Sequence, residues 1–513
     1  MSEKGYSSIK NSPRKLRFIA VAPILPLLIF GWSVFAARRG ETQAAAVTPS
    51  IFRVGEKLTY NISFGKIPNA GYAETHVVSK GKLAGKDVVE LRAKVKTLDL
   101  VSAAFFLFDE SRTVYAASDT GLPLYITSNS HDSAVPKETV SNYLTQPTSN
   151  FDLLTLIYKL RDSGGIGTFP LFEGDQLYTT TVQVGPVEKV KTEAGEFDTT
   201  VSIVQNDFLT ANGIKEFKIN FSTDETHLPV LIRLKTAKGD FRLMLSVIVL
   251  PEPEVVSAPK PTAVLTPKPD VTPKPSPTPA PYIENLPLTQ ELGFQIGELL
   301  EYRITDGGKP VGIISLNARG RKLIEKVDSL LLSATITGIE PGTTSFRLGD
   351  AANVLVDPET LTPTRIESKF ASTFVGLKQI VTFDKRTGSI SFGGAQPIDS
   401  PIGTHSFLSL IYAMRSFNLK PSKDPGNPVN DTRVAVFWEA KSYVFTLRPS
   451  LPEEITINGE KLSAQLITIN TGNNELDALA LKVWLGTESR VPLRFSAGTL
   501  QAELVSQTTN LPK

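Results

Sequence analysis

At 513 residues, with 54 Lys and Arg against 52 Asp and Glu, the chain is too long for one ordinary domain and too nearly neutral to demand a nucleic acid or other polyanion as partner. The absence of cysteine excludes disulfides, thiolate metal centres and cysteine nucleophiles, and the only histidines are His76, His131, His227 and His405. Hydrophobic residues make up 41% of the chain, enough for sizeable cores.

The chain opens with Lys4, Lys10, Arg14, Lys15 and Arg17 before an apolar run from Phe18 to Ala37, which Arg38 and Arg39 close. At about 1.5 Å per residue a helix of this run reaches about 30 Å, the hydrocarbon thickness of a bilayer. The basic excess before it predicts a single-pass inner-membrane anchor with a cytoplasmic N-terminus and an exported, periplasmic remainder. The rival is a cleaved signal with small residues at Ala44 to Ala46 and a secreted product. The length of the run and the two arginines after it favour the anchor. Residues 1–50 are assigned to this segment.

Residues 51–250 read as a first β-rich domain. It begins Gly55-Glu56-Lys57-Leu58-Thr59-Tyr60-Asn61-Ile62, and Val89, Leu91, Ala93 and Val95 then alternate with Glu90, Arg92 and Lys94, as in a strand with one wet face. The charged stretch Gly81 to Lys86 reads as a hairpin turn. Phe105, Phe106 and Phe108 mark a candidate apolar groove, with a filled core as the ordinary alternative. Asp119 to Pro123 is a turn leading into an extended segment. Apolar spacings of three and four from Leu153 to Arg161 predict a short amphipathic helix, capped by Asn150 or Asp152. Strands then return, with a turn at Gly195-Glu196 and a closing hairpin through Phe221, Glu225, His227 and Pro229.

The stretch Pro251 to Pro281 is dense in proline and free of aromatic residues up to its end, so it builds no core and is expected to be polyproline II. Residues 251–282 are therefore a linker, able to span up to about 95 Å when fully extended at about 3.1 Å per residue.

Residues 283–513 repeat the text of the first domain. Gly297-Glu298-Leu299-Leu300-Glu301-Tyr302 answers Gly55 to Tyr60 at an offset of 242, and Gly312 answers Gly71. Leu330, Leu332, Ala334 and Ile336 answer the first alternating strand, with Gly320 to Lys322 as its turn, and Asp357 to Pro363 answers the Asp119 turn. The helix returns without a gap as Phe407 to Arg415, capped by Thr404 or Ser406. Trp484, Glu488, Arg490 and Pro492 close the second half as Phe221, Glu225, His227 and Pro229 close the first. The fold expected is mainly β: two homologous domains, each a curved antiparallel sheet or half-open barrel of eight to ten strands with one inserted helix.

The Gly-Glu-x-Leu-x-Tyr opening, the glycine that follows, the helix with its Tyr and Arg, and the final Leu-Pro hairpin resemble the bacterial exported family of domain of unknown function 3108. The resemblance runs over about residues 52 to 250 and more loosely over about 292 to 508. The second half departs in Gly486-Thr487-Glu488 and in a polar insertion around Lys420 to Asp431. It implies a fold and an envelope address, with no chemistry.

Motifs for a serine elbow, a zincin helix, a phosphate loop and a dinucleotide site are missing. Ser130-His131-Asp132 is contiguous, whereas a triad converges from separate elements. His227 sits in a polar turn whose counterpart is Arg490, which fits a solvated turn better than a metal site. Asp109 and Glu110 are adjacent on a strand, point to opposite faces and do not suit glycosidase geometry. The pair Tyr158 and Arg161, echoed by Tyr412 and Arg415, is the candidate ligand site, since one helical turn places phenol and guanidinium to clamp a carboxylate or phosphate. The structural alternative is a tyrosine packed under the sheet and an arginine fastening the helix to a strand end. No catalytic residue, metal or cofactor is expected.

The function expected is that of a non-enzymatic membrane-anchored envelope protein, whose β domains bind an apolar or envelope-derived ligand, such as a lipid or peptide, or a partner protein. The alternatives are a hydrolase or transferase acting on envelope polymers and a structural spacer between membrane and wall.

Overall fold

The structure, a computed structural model, describes residues 52–98, 109–131, 137–173, 176–211, 213–236, 239–251, 292–324, 327–370, 380–420 and 431–509. The apolar run 18–37, the Phe105, Phe106 and Phe108 cluster and all of the proline-rich run after Pro251 lie outside them. No helix of the described residues is long and apolar enough to cross a membrane.

Alternation sets the inward face of the first strand, Lys57–Phe64, where Leu58, Tyr60 and Ile62 are buried. From it the strands step outward in chain order through Ile67–Leu83 and Lys86–Thr97 to Lys137–Asn142. After helix α1, Leu153–Asp162, they start again at Gly167–Glu173 and step back until Asp240–Val249 pairs with the first strand, Lys57 opposite Val249 and Phe64 opposite Phe241. The result is one open antiparallel sheet of 12 strands, two wings joined along the first and last strands, with α1 spanning from one outer edge to the other. A five-residue helix α2, Asp207–Ala211, decorates the second wing.

The second half is built to the same plan in 15 strands. Glu298–Asp306 pairs with Leu500–Thr509 at the centre, and helix α3, Phe407–Met414, connects the wings. A single turn of helix α4, Asn474–Asp477, is added. Both sheets are curved and neither closes into a barrel, as the patterning leads one to expect of a half-open barrel. The strands, 12 and 15, outnumber the expected eight to ten, the second sheet counting the two-residue edge strands Ile398–Asp399 and His405–Ser406.

Two local expectations are corrected. The first hairpin turns at Ala84 and Gly85, both with positive φ and within the expected stretch Gly81 to Lys86, whereas Gly320 to Lys322, expected as a turn, lies within strand Lys309–Ile324. Glu90, expected on a wet face, is 4% exposed and accepts hydrogen bonds from Ser79 and Arg92. The solvent it would have met is displaced by the second half, since the two sheets touch directly through residues 80–82 and 385–402.

Candidate functional site

Each long helix starts on a capping box. Asp152 accepts from the Thr155 and Leu154 N–H groups at 2.9 and 3.3 Å while the Thr155 hydroxyl accepts from Asp152 N–H, and Ser406 and Ser409 do the same for α3. Of the caps on offer, these two are used because their side chains reach the third helical residue. The flanks of α1 then divide between the wings. Leu154 and Tyr158 pack with Val77, Leu91 and Val114, whereas Leu156 and Leu160 pack with Leu171, Val204 and Ile219.

Tyr158 and Arg161 meet at the seam where the wings join. The Arg161 guanidinium donates to Glu56 Oε1 and Oε2 at 2.6 and 3.0 Å, a bidentate pair in which both side chains are at most 2% exposed. It also donates to the Thr226 carbonyl at 3.0 Å and lies 5.2 Å from the Tyr158 ring centre, with Phe52 on that ring at 5.3 Å. In the second sheet Arg415 forks onto Glu298 in the same way, Gln507 donates to that carboxylate at 3.1 Å, and Phe294 lies against Tyr412 at 4.8 Å. Burial pushes the phenols of Tyr60, Tyr158, Tyr302 and Tyr412 well above the ordinary range, so all four stay neutral.

The carboxylate in each clamp is thus the protein's own. The open ligand clamp expected at Tyr158, Arg161, Tyr412 and Arg415 is replaced by an internal strut that ties the helix end to the first strand of its sheet. Glu56 and Glu298 are the partners that the reading of spacings missed, although the Gly-Glu pair at the head of both halves was the available signal.

The turn residues His227 and Arg490 have a role as well. Both sit at positive φ, 45° and 56°, and both reach the C-terminal end of the helix. His227 Nδ1 is 3.0 Å from the Arg161 carbonyl, and Arg490 donates to the carbonyls of Arg415, Met414 and Phe417 at 3.1, 2.8 and 3.0 Å. The turn read as solvated is therefore a cap supplied from a remote strand. Asp109 and Glu110 face the cations Lys96 and Arg112 at 3.6 and 3.3 Å, and His131 is exposed at a strand end.

Between the sheets lies a crevice of about 40 Å³ with a mixed lining, Val78, Lys80 and Glu90 from the first and Phe383, Lys385 and Ile402 from the second among them. That volume admits a few waters and falls far short of the few hundred Å³ of a ligand pocket. Beside it, burial pushes the Asp357 carboxyl up, but the Lys385 ammonium at 2.8 Å and the N–H groups of Glu359 and Thr360 hold it well below the usual range.

Together these features define a class of β-rich proteins in which a helix is strutted across the seam of an open, barrel-like sheet. Residues 126–246 match the family model described as "Protein of unknown function (DUF3108)", a stretch wholly within the first half. Among solved structures, the chain is similar to a β-barrel-like protein of domain of unknown function DUF1849 from Brucella abortus at 12% identity, covering 39% of this chain and 99% of that one with a TM-score of 0.27. It is also similar to a putative exported protein with a YmcC-like fold from Bacteroides fragilis at 11% identity, covering 38% and 96% with a TM-score of 0.19. No curated protein matches the chain.

Proposed function

We propose that this is a non-enzymatic envelope protein, anchored by its N-terminal apolar run, whose two related β modules form one body that binds a partner protein. The observation that carries this reading is the direct docking of two sheets of like build through backbone hydrogen bonds between residues 80–82 and 385–402. Arg161 and Arg415 serve as internal struts, and the crevice at the junction is water-sized, which favours a macromolecular partner over an acyl chain. The matched struts, caps and central strand pairs support reading the second half as a diverged copy of the first.

In-cell crosslinking followed by affinity purification of the full chain tests the reading, with solvent extraction of the same preparation scored for lipid. A recurrent envelope protein among the crosslinks is the expected result. Lipid in place of a protein, or neither, would sink it. Protease accessibility in spheroplasts and the N-terminal sequence of the mature chain test the anchor.

A further inference from the structure

Strand Ile67–Leu83 overshoots its neighbour. On one side its pairing with Lys57–Phe64 ends at His76 opposite Lys57, with Val77 held by Gly55 and Glu56, whereas on the other side pairing with Lys86–Thr97 continues to Leu83. From Val78 to Leu83 one edge of the strand therefore has no partner in its own sheet, the kind of edge that accepts an added strand.

The second half fills that edge. Lys80 N–H donates to the Lys385 carbonyl at 2.7 Å, Lys82 N–H to Ser400 at 3.0 Å, and Ile402 N–H to the Lys82 carbonyl at 2.7 Å. Ile402 packs onto the cluster of Leu83, Val88, Leu124, Tyr125 and Leu144. Two glycines make the approach. A Cβ on Gly81 would lie 2.8 Å from the Ser400 oxygen, and one on Gly388, at φ +67°, would lie 2.9 Å from the Gly81 Cα.

The second sheet has the same overshoot. Gly297 N–H bonds to Ala318, and Lys309–Ile324 continues against Val327–Ile339 to its end. Gly71 and Gly312 are equivalent, and so are the bulges at Val77/Ser79 and Ala318/Gly320, which places Lys80, Gly81 and Lys82 level with Arg321, Lys322 and Leu323. On the second edge Leu323, level with Lys82, is 74% exposed.

We propose that Val78 to Leu83 is a strand-acceptor site for residues 385–402 of the second module, and that Gly81 and Gly388 permit the close approach on which the pairing depends. An interface whose donor and acceptor lie on different surfaces grows into filaments wherever both remain available. Here the donor is consumed within the chain, so the modules pair one to one and the pairing does not depend on the proline-rich run.

The test uses the full chain with a specific protease site placed in the 252–281 segment. After cleavage the halves should co-elute in size-exclusion chromatography. Gly81→Lys on the acceptor side and Gly388→Ala on the donor side should each release them as separate, folded fragments by circular dichroism. Separation of the cut unsubstituted halves, or co-elution in the Gly388→Ala protein, overturns the acceptor site.

Discussion

Glu56 and Arg161 stand 105 positions apart in the chain and meet as a bidentate ion pair at 2.6 and 3.0 Å, with the carboxylate fully buried. The pair fixes the end of the helix to the first strand at the seam of the two wings. Removing one partner leaves the other charge buried without its counterpart, which typically costs about 3 to 5 kcal/mol, whereas replacing both with well-packed apolar residues costs far less. Glu56→Gln and Arg161→Met should each speed hydrogen exchange of the α1 amides by at least about 100-fold through local opening. The double variant Glu56→Met/Arg161→Met should fall short of the sum of the two. Equal, additive effects would show that the pair does not hold the helix.

The caps from the closing turns should differ in strength. Arg490 reaches three carbonyls where His227 reaches one, and hydrogen bonds from a charged donor contribute roughly 1.5 to 3 kcal/mol. Arg490→Ala should therefore lower the urea midpoint of the second module by more than His227→Ala lowers that of the first. Module-resolved hydrogen exchange reads both, and the reverse order would count against the capping role.

Acid should loosen the second module. Burial lowers the His405 imidazole from 6.5 to about 4, with the Lys385 charge acting in the same sense and a hydrogen bond to the Leu361 backbone opposing it. Its folded pKa lies below the unfolded value, so the unfolded chain takes up a proton that the folded chain refuses. Stability is then full above pH 6.5 and falls as the pH drops towards about 4, by roughly 3 kcal/mol over the window. His405→Gln should flatten that part of the profile, followed by the fluorescence of Trp438 and Trp484. An unchanged slope would mean that other groups carry it.

The helix starts offer a smaller effect. Asp152→Ala removes the acceptor for two N–H groups and should cost about 1 to 2 kcal/mol, as N-cap losses do. Asp152→Asn keeps the cap and should recover most of the loss in the same denaturation experiment. Failure of that rescue would shift the role of Asp152 from capping to its ion pair with Arg112 at 3.4 Å.

What the sequence determined by itself is local and periodic. Alternation in Lys57–Phe64 and Lys86–Thr97 fixed which side chains face inward, spacings of three and four fixed α1 and α3, and each helix start was narrowed to two caps, Asn150 or Asp152 and Thr404 or Ser406. The parallel patterning of the two halves was also legible, and each half forms an open antiparallel sheet whose first and last strands pair. Choice of partner over long separations was decided by the tertiary structure alone. Arg161 finds Glu56 because the sheet folds its last strand back onto its first, and His227 becomes a helix cap because the closing turn lands beside α1. Glu90 shows the limit most clearly: its alternation reads as solvent-facing, and it is buried because the second module covers that edge. Periodicity reports the face of a strand, whereas what covers that face depends on chain segments some 300 residues away.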